Sequence, residues 1–220
     1  MKSPTIRIVD FSGGTDFHQS LAATRSLIAS TAATYEWCDD EHYLPSEPLA
    51  HVESVVSDQQ DILTAALHAE TLVLHLASHM HGRGEGEPAF YGRGGEIPVA
   101  TVAGWLKEQS RGIYAGCVYV DGCNGGTRKF ISAMRDCLEW PVTYIASRRM
   151  VTEPECTLFA ANFYGSLLQR KGKGLDPVDR TKAAAERAQE AYEAATGSVC
   201  PFRVETVKPS KAARAAFRVT

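Results

Sequence analysis

The sequence predicts one α/β domain, built on a mostly parallel sheet with helices on both faces. Three observations carry that expectation. Short β-branched or apolar runs alternate with longer stretches of helical periodicity along the whole chain. Two of these runs, Thr71 to Ser78 (TLVLHLAS) and Tyr114 to Val120, are almost continuously apolar, as strands covered on both faces should be. The length of 220 residues accommodates one full-sized domain of this class but not two large ones.

Taken in order, Thr5 to Phe11 (TIRIVDF) reads as a first strand that stops at the Ser12-Gly13-Gly14 turn. Thr15 or Asp16 can cap a helix with Phe17, Leu21, Leu27 and Ile28 on one face. Thr34 to Cys38 (TYEWC) reads as a second strand, and Asp39 to Pro48 as a polar loop. A helix from about Asp58 to Ala69 presents Ile62, Leu63, Ala66 and Leu67. After the Thr71 strand, the glycine-rich segment from Met80 to Gly95 is expected to form a functional loop or small hairpin. Val99 to Gln109 is a helix, Tyr114 to Val120 a strand, Arg128 to Leu138 a helix and Val142 to Ser147 a strand. Glu153 to Arg170 repeats Leu158, Phe159, Phe163, Tyr164 and Leu167 at helical spacing, and the stripe reads as core. Lys171-Gly172-Lys173-Gly174 then terminates that helix. Val178 to Ala195 is an alanine-rich helix, and Phe202 to Val207 a last strand before a basic end.

Composition narrows the function classes. A net charge of -3 and a pI near 6.2 give no support for nucleic acid as a partner. No apolar run approaches the ~18 residues that a membrane span requires. MKSPTIRIVDF passes straight into a strand pattern without the form of an export signal, so the cytosol is the expected compartment. Cys38, Cys117, Cys123, Cys137, Cys156 and Cys200 lack CxxC spacing, which argues against a zinc ribbon or a disulfide scaffold.

The stretch Val118 to Gly126 (VYVDGCNGG) concentrates the chemistry. Cys123 follows a buried strand, is ringed by glycines and faces a helix start, where α/β proteins keep their reacting groups. Backbone amides at such a turn, including those around Gly122 and Gly82, can hold an oxyanion. The Thr71 strand ends in Ser78-His79-Met80-His81-Gly82. If the two strands are parallel neighbours, an imidazole and a thiol share one rim, and that pair suffices for acyl transfer. His75, inside the strand, reads as a satisfied core residue.

The strand LHLASH with its glycine-rich loop, followed by a strand ending in DGCNGG, resembles the caspase-like cysteine peptidases (clan CD). Within them it is most similar to the bacterial CHAT-type branch, with metacaspases and separases as more distant relatives. The segment TYIASRRMVTEPECTLFAANFYGSLLQRKGKG also resembles the CHAT pattern, so the similarity spans roughly Thr71 to Ala195. The resemblance implies a caspase-like three-layer sandwich, a Cys123 nucleophile and a His79 base, with no cofactor. His81-Gly82 also satisfies the His-Gly pattern of the family, whereas Met80 stands where that family often has glycine, so His81 is the alternative base. In this family the residue two before the nucleophile lines the pocket for the substrate side chain. Asp121 therefore implies cleavage after Arg or Lys, with Asp10 or Asp16 as a second carboxylate. Arg148 and Arg149 could instead bind an acidic side chain, and Asp121 could simply cap the next helix. Kinship further implies a protein or peptide substrate, a bacterial defence or cell-death pathway, and activation by a separate activator or sensor protein, by self-cleavage or by dimerisation.

Two other readings stay beside this one. Ser78-His79-Met80-His81 resembles the start of an HxHxDH metal-hydrolase motif, but Arg83 and Gly84 stand where Asp and His should follow. An inactive caspase-like interaction module would keep the fold, although such proteins usually lose the Cys or the His.

Overall fold

Six strands form the central sheet of the computed structural model, which describes residues 4–11, 18–37, 50–56, 59–80, 86–92, 94–168 and 175–217; for residues 18–20, 31–37 and 56 only the backbone is described. In chain order the elements are β1 (Thr5–Asp10), α1 (His18–Trp37), β2 (His51–Val56), α2 (Gln60–His68), β3 (Thr71–Ala77), β4 (Ala89–Gly92), β5 (Gly95–Pro98), α3 (Val99–Glu108), β6 (Ala115–Asp121), α4 (Arg128–Met134), β7 (Val142–Ser147), α5 (Glu153–Leu167), α6 (Pro177–Thr196), β8 (Phe202–Val207) and α7 (Lys211–Ala216).

The sheet order is β2-β1-β3-β6-β7-β8, parallel throughout except for the antiparallel β8, and β4–β5 is a separate hairpin. β3, β6 and β7 are buried along their whole length, which explains their lack of polar alternation. One face packs Leu74, Leu76, Val118, Val120 and Tyr144 against α2, α3, α4 and α7. The other packs Val73, Cys117, Tyr119 and Ile145 against α1, α5 and α6. Two helical layers therefore sandwich one mostly parallel sheet, as the alternating pattern predicts.

Several elements differ from the sequence reading. Thr34–Trp37 continues α1 as helix instead of forming a strand. The strand beside β1 is His51–Val56, paired in register from Thr5↔His51 to Asp10↔Val56. It is an edge strand with His51, Glu53 and Ser54 exposed, so no apolar run advertises it. The basic end also folds, as α7, capped by the Ser210 hydroxyl accepting from the Ala213 amide. α4 stops at Met134, and Ile62 is 48% exposed instead of facing the core.

Candidate active site

β3 and β6 are adjacent, parallel and in register, with Ala77 opposite Asp121. The Ser78 amide continues the ladder by donating to the Asp121 carbonyl at 3.2 Å. His79 and Cys123 each lie two residues beyond the Ala77–Asp121 pair, at the C-terminal rim of the sheet. The strand ends meet so closely that a side chain on Gly122 would drive into the Ser78 carbonyl oxygen. Gly122 is thus required by contact between two backbones.

Each strand end is held by its own fixings. Beyond Ser78, the Tyr91 amide donates to the His79 carbonyl at 3.1 Å and to the Ser78 hydroxyl at 2.8 Å, while that hydroxyl donates to the His79 carbonyl at 2.7 Å. His79 is therefore anchored through its backbone to the β4 hairpin, and its side chain lies exposed. Beyond Asp121, the chain reverses at Asn124 with a φ of 62°, in the left-handed region that asparagine tolerates. The Asn124 amide donates to the Arg149 carbonyl at 3.2 Å and the Gly126 amide to the Ser147 carbonyl at 2.7 Å, tying this turn to the end of β7. Thr127 then caps α4 by accepting from the Phe130 amide.

Cys123 is half-buried, and its thiol donates to the Val151 carbonyl at 3.8 Å. Beside it lies a cavity of about 30 Å³, lined among others by Met80, Pro88, Asn124, Lys129 and Phe130. Met80 thus packs beside the turn, where the sequence showed only a departure from a glycine. Lys129 donates to the Gly86 carbonyl at 2.6 Å and ties α4 to the segment entering β4. The bridging roles of Ser78, Lys129 and Val151 had no sequence signal, because each depends on contacts across separate elements. The other described cysteines are buried. Burial pushes the Cys137 thiol up to about 12 and the Cys200 thiol up to about 11, and raises Cys117 and Cys156 as well.

The acidic candidates share one row of the sheet. Asp10 pairs with Ala77, and Ala77 with Asp121, so both carboxylates project from the same face with a small side chain between them. Asp10 is 2% and Asp121 1% exposed. Asp121 Oδ2 lies 3.2 Å from His75 Nε2, and His75 Nδ1 lies 2.9 Å from the Tyr164 hydroxyl. Asp121 therefore bonds inward and does not cap α4, a role that Thr127 fills. Arg148 is exposed on the same rim. Arg149 is committed to Glu155 at 2.5 Å, and this guanidinium holds the Glu155 carboxyl down at about 2. Glu155 also accepts from the Thr152 amide and hydroxyl, closing the capping box of α5.

Asp16, His81, Gly82, Arg83 and Gly84 lie outside the described residues, so the geometry speaks to His79 alone of the two candidate bases. Among the described residues, no three His, Cys, Asp or Glu side chains gather into a metal site. Nor is any described helix long and apolar enough to cross a membrane.

The fold is that of the caspase-like α/β enzymes. Comparison with family profiles and with curated proteins finds no match to the sequence. Among solved structures, the chain is similar to "iotapain", a secreted C11 cysteine protease from Bacteroides thetaiotaomicron, with a TM-score of 0.60 and 10% identity over 94% of this chain and 67% of that one. A C11 protease from the same organism in complex with an irreversible peptide inhibitor gives 0.51 and 11% over 87% of this chain and 59% of that one. An inactive zymogen C11 protease from Parabacteroides distasonis gives 0.51 and 14%, over 88% and 60%. Identities this low establish shared architecture, and the chain spans roughly three-fifths to two-thirds of the length of these neighbours.

Proposed function

We propose that this protein is a cysteine endopeptidase acting through Cys123 and His79. The observation that carries the reading is the register of β3 on β6, with Ala77 opposite Asp121, from which His79 and Cys123 each follow two residues later at one rim of the sheet. In this scheme His79 takes the Cys123 thiol proton, and the thiolate sulfur bonds to the substrate carbonyl carbon. The amides of Gly122 and Cys123, with Gly82, receive the developing oxyanion. The imidazolium then protonates the leaving amine as the C–N bond breaks. Water, deprotonated by His79, finally cleaves the thioester and restores the thiol. His81 is the alternative base.

Specificity follows from the shared row of Asp10, Ala77 and Asp121. Two carboxylates flanking a small side chain suit the cation of an arginine or lysine and repel an acidic residue. Both carboxylates are covered in this state, so a substrate side chain reaches them only when the covering segments part. That closure fits activation by a separate partner or by cleavage in the loops. The CHAT-like segment from Thr143 to Gly174 supports a place in bacterial defence by cutting a partner protein, and the described free thiols suit a reducing compartment.

A peptide library with basic, acidic and neutral residues before the cut tests the reading. Cleavage after Arg or Lys, lost at least about 1000-fold in Cys123→Ala with an unchanged melting temperature, is the expected result. Iodoacetamide should modify Cys123 ahead of the buried Cys117, Cys137, Cys156 and Cys200. Retained cleavage by Cys123→Ala would remove the nucleophile assignment, and a preference for Asp would transfer the specificity role to Arg148.

A further inference from the structure

We propose that Tyr164 and His75 form a positioning chain that orients the Asp121 carboxylate for the substrate cation; this rests on the basic specificity proposed above. Every neighbour of His75 in β3 is apolar or small, and a leucine would suit that core position. Instead, a 0% exposed imidazole bridges Tyr164 on α5 to Asp121 at the end of β6. Burying polar groups in this way is costly unless they find partners, and here His75 meets Tyr164 at one nitrogen and Asp121 Oδ2 at the other.

Burial holds the Tyr164 phenol well above its ordinary pKa, so it remains an O–H that can either donate to His75 Nδ1 or accept from it. A carboxylate oxygen accepts, so Nε2 carries a proton and donates to Asp121 Oδ2. The ring cannot turn out of this line, because it stacks on Tyr119 with centroids 4.4 Å apart and planes at 29°.

The remaining surroundings agree. The Cys156 thiol abuts the same carboxylate, and burial and Asp121 together push its pKa up, so it adds no charge there. Asp121 Oδ1 has no hydrogen-bond partner among the described residues. Asp10 stands two strands away in the same row.

The test compares paired substrates ending in arginine and in its neutral isostere citrulline. His75→Leu should raise KM for the arginine substrate by about 10- to 100-fold with kcat within about threefold, because a hydrogen bond to a charged group is lost from uniform binding. The citrulline substrate should change little, so discrimination falls. Tyr164→Phe, which removes only an oxygen, should give a smaller shift in the same sense. His75→Gln, whose side-chain amide N–H can replace Nε2–H, should restore most of the discrimination. Calorimetry with benzamidinium on the Cys123→Ala protein should follow the same order without any catalysis. If the parent prefers arginine and both His75→Leu and Tyr164→Phe keep full discrimination, the positioning chain is overturned while the specificity reading stands. Equal losses on both substrates with a lowered melting temperature would make the chain merely structural, and also overturn the proposal. A parent that neither cleaves after arginine nor binds benzamidinium removes the specificity reading itself, and this inference with it.

Discussion

The two faces of the central sheet use the same strands for opposite purposes. Toward α2, α3, α4 and α7 the sheet presents Leu74, Leu76, Val118, Val120, Tyr144 and Ala146, whose one polar group, the Tyr144 hydroxyl, donates to the Gly125 carbonyl at 2.9 Å. Toward α1, α5 and α6 the alternate residues of the same strands include His75, Asp121, Thr143 and Ser147, all buried. A parallel strand alternates its side chains strictly, so one sequence can write a dry face and a polar face at once. The dry face supplies stability, and the polar face concentrates its hydrogen-bonding groups toward the rim where Cys123 and His79 stand. Both sides of the sheet carry an apolar core, but one of them also gathers buried polar groups near the rim.

Mutation can sharpen that division. Leu76→Ala removes a fully buried side chain from the dry face and should destabilise the protein by about 3 kcal/mol, read by chemical denaturation. Cleavage per folded molecule should survive, and a specific loss of activity at unchanged stability would break the proposed separation. Gly122→Ala acts at the junction of β3 and β6 and should cost about 1–3 kcal/mol, since its methyl meets the Ser78 backbone instead of a movable side chain. It should also reduce turnover about 100-fold by spreading His79 from Cys123, a much larger functional loss than Leu76→Ala gives.

The smallest effect belongs to the rim on the polar side. Glu155 has a carboxyl held down at about 2 by Arg149, so its stabilising contribution is complete above the ordinary carboxylate value and lost as pH falls from about 4.5 toward 2. Glu155→Gln should therefore lower the melting temperature at neutral pH by an amount worth under about 1 kcal/mol, because half of the Arg149 side chain is solvated. The gap between parent and variant should close as the pH approaches 2. A gap that widens in acid would show that the capping box, not the charge, carries the effect.

Much of this was legible before any coordinates. β3, β6, β7 and β8 announced themselves by apolar runs or alternation, and Cys123 by its place between such a run and a helix cap. His79 lies just beyond the end of β3, where the apolar run placed it. β2 was not, because an edge strand bonded only to β1 needs no apolar face, and Thr34–Trp37 was drawn into a long helix against its local preference. Tyr164 looked like one more aromatic in a core stripe. Its ring is indeed buried core, but its hydroxyl meets His75 across 89 positions of chain, a pairing that no local pattern encodes. Asp121 showed its charge in the sequence but not its inward partner, for the same reason.

The Ser78 hydroxyl joins the His79 carbonyl to the Tyr91 amide, and Tyr91 lies in the β4–β5 hairpin. The hairpin is therefore a handle rigidly fastened to the histidine. Whatever displaces the hairpin also pulls on the backbone of His79, the second residue beyond β3.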